Sequence, residues 1–185
     1  MQFSHKWCIY AILLTIIFNS VNPLLNKEPV KRAENSIKEF DPNLKIICLE
    51  QTARTAQDAA TAWGCNVGAI VKSLLFSAGE DFVLCLVSGD KRCSLNKLKK
   101  IIDEKDVSMA KPDDVKKITG YTIGGVSPVG HLTKVKIFID SNLKRFTEVF
   151  AAAGHPNCVF EISFKKLTIL TSGEIKELAE WGSQN

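Results

Sequence analysis

The sequence lacks the signatures that most hydrolytic, redox and metal-dependent enzymes carry. Among 185 residues there are three histidines and no His-Glu-x-x-His pair, so a zinc-protease reading has no support. No G-x-S-x-G elbow, Walker glycine–lysine loop or G-x-G-x-x-G fingerprint occurs, and serine-hydrolase, nucleotide-hydrolase and Rossmann readings lose their main motif. The six cysteines, Cys8, Cys48, Cys65, Cys85, Cys93 and Cys158, form no C-x-x-C pair and have no histidine cluster beside them. A structural zinc site is therefore not expected, and no cofactor is called for. Cys48, Cys85 and Cys158 fall in apolar, strand-like runs, where a thiol serves as a small core hydrophobe. They are expected to be reduced in a cytosolic protein, although the even count leaves pairing open. No repeat, linker or low-complexity segment divides residues 29–185.

What is present is ordinary globular composition, 45% apolar and 24% charged, enough for one domain and an appendage. The net charge is only +4, but Lys91 to Lys117 carries nine basic and five acidic residues. That segment permits a phosphate-rich partner without requiring one, since a charged helix face is also simply a solvated face. At the N-terminus, Trp7 to Phe18 is twelve uncharged residues after His5-Lys6. A helix of that length covers about 18 Å of a hydrocarbon layer roughly 30 Å thick, too little to span it comfortably. Export signal, membrane tether and upstream translated sequence all stay open. Residues 1–28 are expected to be a dispensable extension, with a membrane role only if residues 1–26 are kept as an anchor.

The remaining chain alternates short helices and strands. Pro29 to Phe40 has apolar residues at helical spacing, and Leu44 to Leu49 is a strand candidate. Thr55-Ala-Gln-Asp58 has the form of a capping box opening a helix that ends before Gly64. Ile70 to Phe76 and Phe82 to Val87 form a predicted hairpin, Ser94 caps a basic helix to Ile102, and Lys111-Pro112 opens another helix ending at Gly120. Tyr121 to Ile123 and Lys134 to Asp140 are predicted strands, Ser141 to Phe150 a helix, and Ala151 to Asn157 a small-residue turn. Cys158 to Ile162 is expected as a strand and Phe164 to Leu170 as a helix, while Glu174 to Trp181 gives no clear type. This mixture indicates an α+β or mixed α/β domain with a curled sheet.

Two features fit no ordinary element. Tyr121 to His131 packs Gly124, Gly125, Gly130, Pro128 and His131 into eleven positions. Such a loop exposes backbone N–H groups and suits an oxyanion or phosphate, although a ligand-free glycine-rich connection uses the same residues. The second feature is Lys72, alone in the apolar run Ile70 to Phe76; its plain reading is one solvent-facing strand position.

Together these residues resemble the YbaK and prolyl-tRNA synthetase-associated editing domains, which deacylate wrongly charged tRNA. The resemblance rests on Val71-Lys72-Ser73-Leu74-Leu75, on Thr119 to His131 and on Ile137-Phe-Ile-Asp140, and runs from about Val30 to Leu170. It implies a mixed-sheet barrel flanked by helices over residues 29–185, acting on mischarged aminoacyl-tRNA in the cytoplasm, with an aminoacyl-tRNA synthetase as a conceivable associate. It also implies that Lys72 anchors a phosphate or the ester, that the loop from Gly124 to Pro128, with Gly125, Ser127 and Gly130, stabilises an oxyanion or holds the terminal adenosine, and that the substrate's own ribose hydroxyl assists the attacking water. Tyr121, Pro128, His131 and Asp140 would contact or support the substrate, Asp140 being equally a helix cap. Gly154 and His155 occupy a turn that is more basic and glycine-rich in some relatives, so their part in binding is a departure. A noncatalytic tRNA-binding module is the competing reading.

Overall fold

A computed structural model describes residues 22–49 and 55–181. The apolar segment Trp7 to Phe18 lies outside the described residues. Among the described residues no helix is long and apolar enough to cross a membrane.

Helix α1 (Glu28–Phe40) forms because Val30, Ala33 and Ile37 recur on one face with Pro29 in the first turn. All three side chains are fully buried, each larger one contributing about 1.5–3 kcal/mol of apolar burial. Strand β1 (Ile46–Cys48) follows, then α2 (Ala56–Trp63), whose Thr55 Oγ1 accepts from Asp58 N at 3.0 Å while Asp58 Oδ2 accepts from Thr55 N at 3.0 Å. The expected capping box is therefore formed, and Gly64 closes the helix in the left-handed region.

Strands β2 (Ile70–Ala78) and β3 (Asp81–Ser88) make the predicted hairpin, paired along its whole length. Beyond it come β4 (Lys91–Cys93), α3 (Leu95–Ile102), β5 (Val107–Met109) and α4 (Pro112–Thr119). The second half comprises β6 (Lys136–Asp140), β7 (Glu148–His155), β8 (Cys158–Ser163), α5 (Phe164–Thr171), β9 (Glu174–Lys176) and β10 (Ala179–Trp181). The main sheet runs β1-β8-β7-β2-β3-β6-β9, with β5 also on β2; β10 and β4 pair separately. The β2–β7, β3–β6 and β6–β9 contacts are parallel and the rest antiparallel, so the sheet is mixed.

Strand β3 is an interior strand and is buried on both faces. Leu84 and Leu86 join Val71, Leu75, Ile139, Phe160 and the apolar side of α1 in one cluster, whereas Cys85 and Val87 join Phe76, Phe138, Leu98 and Leu178 in the other.

Four local expectations are corrected. Tyr121 to Ile123 is not a strand: the chain leaves α4 at Gly120, buries the Tyr121 ring in the core and turns at Ile123-Gly124. Ser141 to Phe150 is not a helix: a 3-10 turn (Ser141–Arg145) gives way to β7. Ala151 to His155 is strand rather than turn, and only Pro156-Asn157 reverses the chain. Finally, Cys48 and Cys158 are not separate thiols. They face each other where β1 pairs with β8 and are joined as a disulfide across 110 residues of sequence.

Candidate active site

The site arises from a gap along one edge of β2. The edge away from β3 pairs with β7 at Ile70 and Val71 and with β5 from Phe76 to Ala78. Between them Leu75 O accepts from Ala110 N at 3.0 Å. Lys72, Ser73 and Leu74 therefore border an opening of about 410 Å³, a size ordinary for small-ligand sites. Its walls are mostly apolar: Ala56 and Ala59 of α2, Leu74, Ala110, Val126, Phe150 and Val159. Trp63 stacks on Phe150 at 6.4 Å between centroids and fastens α2 over this side. Ser73 Oγ is buried at the wall without a hydrogen-bond partner, a polar group that a ligand can satisfy.

Lys72 and the glycine loop meet at this cavity, which Lys72, Ile123, Gly124 and Val126 all line. Gly124 has φ +84° at the third position of a turn closed by Gly125 N donating to Thr122 O at 2.9 Å, a conformation that favours glycine. Gly125 is required by proximity: a Cβ there would lie 2.8 Å from the Cα of His155. The loop is thus pressed against the β7–β8 turn, and Pro156 joins the cavity wall beside Gly124.

Lys72 stands opposite Val87, and Asp140 follows Val87 across the sheet one step beyond the paired residues Leu86 and Ile139. Its ammonium donates to the carbonyl of Lys91 on β4. The cation is therefore moored on the β4 side and does not point at the loop in this conformation. Burial holds its pKa below the ordinary lysine value, partly offset by Asp90 and Asp140. Asp140 is fully buried; Oδ1 accepts from Asn142 Nδ2 at 3.0 Å and from its N at 3.3 Å as a cap, while Oδ2 has no partner.

The remaining predicted residues build the loop's frame and do not line the cavity. Tyr121 is buried, with its hydroxyl 2.8 Å from Val129 O and 2.9 Å from Gly130 O. Ser127 is buried, and its carbonyl accepts from His131 Nε2 at 2.8 Å. Because a carbonyl only accepts, Nε2 carries a proton. Burial lowers the His131 pKa, so the ring is disposed to neutrality. Pro128 lies between these contacts. His155 is half-buried, and its Nδ1 accepts from Asn157 N at 3.2 Å; Gly154 precedes it on β7 at φ +84°.

Sequence reasoning missed Arg32. From α1 its guanidinium donates to Gly130 O at 2.8 Å and Gly120 O at 2.9 Å and lies over the Tyr121 ring at 4.7 Å. An arginine on a polar helix face gives no local sign of this role. It also missed Ala56, Ala59 and Phe150, since apolar residues that line a cavity look like core residues. Among the described residues no cluster of three or more His, Cys, Asp or Glu is placed to hold a metal ion.

This chain is similar to protein YwhH of Bacillus subtilis, 32% identical over 73% of this chain and 80% of that one. It is also 29% identical to the proline–tRNA ligase of Caldicellulosiruptor bescii over 75% of this chain, a stretch equal to 22% of the ligase. A crystal structure described as that of a candidate trans-editing enzyme for prolyl tRNA synthetase superposes with a TM-score of 0.79, at 36% identity, covering 83% of this chain and 98% of the other. The mixed sheet flanked by helices is the architecture this chain shares with that structure. The aminoacyl-tRNA editing domain model matches residues 50–169, nearly two thirds of the sequence, and the chain belongs to that family.

Proposed function

We propose that the chain is a deacylase that cleaves the ester of mischarged aminoacyl-tRNA, in the cytoplasm where that substrate is made. The observation that carries this reading is the β2 gap: one cavity has Lys72 and the Gly124 turn on its walls and an otherwise mostly apolar lining that suits a small amino-acid side chain. An aminoacyl ester is already activated. Water adds to the carbonyl, the C–O bond to the ribose breaks, and the amino acid leaves as its acid while the ribose oxygen regains a proton. Gly125 N–H is committed to the turn, so the donors assigned to the developing oxyanion are the main-chain N–H groups of Gly124 and Val126, which border the cavity. Ser73 Oγ is free to bond the ester or the terminal ribose. Lys72 supplies positive charge once its ammonium leaves Lys91 O for the substrate, a rotation of one flexible side chain. His131 is bonded to Ser127 O and frames the loop, so the substrate's own ribose hydroxyl is the group that assists water.

The test is a deacylation panel with alanyl-, cysteinyl-, seryl- and threonyl-tRNA on the intact protein. At least one should be hydrolysed well above the spontaneous rate, and Lys72→Ala should reduce that rate by about 10²-fold with the far-UV spectrum unchanged. Protection of the ester instead of cleavage would identify a noncatalytic binder, and full activity in Lys72→Ala would remove the lysine from the mechanism.

A further inference from the structure

The β3–β4 corner holds two thiols that the proposed deacylation does not use. Cys85 on β3 points to the same face as Val87 and Phe138 and is fully buried. The short reversal through Gly89 and Asp90 brings β4 back, so that Cys93 packs against the same buried cluster that holds Cys85. Cys93 is partly exposed, and the Lys72 ammonium is bonded to Lys91 O on the same three-residue strand. A nucleophile that solvent reaches, a buried thiol in the same cluster and a cation bonded to its strand together make a reactive dithiol.

We propose that Cys93 and Cys85 form an oxidative modification site, Cys93 reacting with a hydroperoxide and Cys85 then closing a disulfide onto it beside Lys72. The Cys93 thiolate attacks the terminal peroxide oxygen; the O–O bond breaks, the peroxide is reduced to an alcohol or water, and Cys93 becomes a sulfenic acid. Cys85 then gives up its proton and attacks the Cys93 sulfur. The S–S bond forms, and hydroxide leaves with that proton as water. A dithiol reductant restores both thiols by exchange.

The surroundings favour this order of events. The Cys85 thiol, helped by Lys72, lowers the Cys93 pKa against burial and the charges of Asp140 and Glu180. Cys93 and burial in turn raise that of Cys85, which keeps its proton until Cys93 has been oxidised. Cys65, also partly exposed, has its pKa raised by burial and has no thiol partner among the described residues, so it serves as an internal control. Oxidation removes a thiolate that Lys72 favours, which ties the redox state of the corner to the charge balance of the cavity.

The experiment treats the full chain with hydrogen peroxide near neutral pH, blocks residual thiols by alkylation and maps the peptides by mass spectrometry, a readout independent of any deacylase activity. A linked Cys85–Cys93 peptide should appear and vanish with dithiol, with Cys93 consumed about tenfold or more faster than Cys65. Cys85→Ala should leave Cys93 as a sulfenic acid trapped by dimedone, Cys93→Ser should give neither product, and Lys72→Met should slow the oxidation of Cys93. If Cys85→Ala does not fold, the wild-type map decides. Oxidation of Cys65 as fast as Cys93, or an oxidised Cys93 never linked to Cys85, would overturn the proposal.

Discussion

His131 and His155 both have pKa values held below the ordinary 6.5, chiefly by burial, with Lys27 adding to the effect at His155. The sign of the resulting pH dependence follows from proton counting. As pH falls below 6.5, the unfolded chain takes up protons that the folded chain refuses, and folding stability decreases. The carboxylates of Asp41, Asp90, Glu174 and Glu177 are shifted down by their cationic partners, so their contribution is lost only at lower pH still. Melting temperature should therefore decline already in the histidine window. His131→Gln, which can still donate to Ser127 O, should flatten that decline; an unchanged slope would show that His131 is not its source. At this scale the sequence marked Lys72 and the loop residues as unusual. It did not reveal that Lys72 Nζ is held by Lys91 O or that Gly125 N–H is already used, because both partners are set by packing around the site.

At the scale of elements, α1 acts as a clamp on the glycine loop. Arg32 bonds the carbonyls on either side of the loop, Gly120 and Gly130, and covers Tyr121 between them. Charge-assisted bonds to carbonyls are worth about 1.5–3 kcal/mol each, so Arg32→Gln should lower stability in urea by roughly that amount and depress deacylation more than tRNA binding. Arg32→Lys should rescue little, since an ammonium cannot fork between two carbonyls. The misreading of β7 as a helix and a turn belongs to the same scale. Its Ala151-Ala-Ala-Gly run of small residues reads locally as a turn, yet Ala151 and Ala153 are buried in the cluster that also takes in Val30, Ala33 and Ile37 of α1. Small residues there let a helix approach the sheet closely, and that tertiary demand outweighs local preference.

For the whole molecule, the Cys48–Cys158 disulfide joins the sheet's edge strand β1 to β8, and Leu49 N bonds Asn157 O at 2.8 Å beside it. A link closing so long a loop contributes about 2–5 kcal/mol, so Cys48→Ala/Cys158→Ala should lower the denaturation midpoint accordingly. An equal midpoint for the double variant and the parent under non-reducing conditions would contradict it. Charge also acts at this scale. If the basic residues from Lys91 to Lys117 meet the tRNA backbone, affinity should fall steeply with salt as counterions are displaced, and a filter-binding titration across ionic strength reads that slope.

The sequence by itself determined the local features. The capping box at Thr55, the Gly64 and Gly120 helix stops, the amphipathic face of α1 and the β2–β3 hairpin each depend on residues a few positions apart, so nearest-neighbour chemistry is enough to specify them. The family-like run from Thr119 to His131 was legible for the same reason. Only the tertiary structure decided that β5 and β7 stop short of each other along β2, that Cys48 meets Cys158, and that Arg32 reaches the loop from α1. These contacts join residues far apart in the chain. Hydrophobic periodicity says which face of a strand is buried, but not which distant strand will lie beside it or where that partner ends.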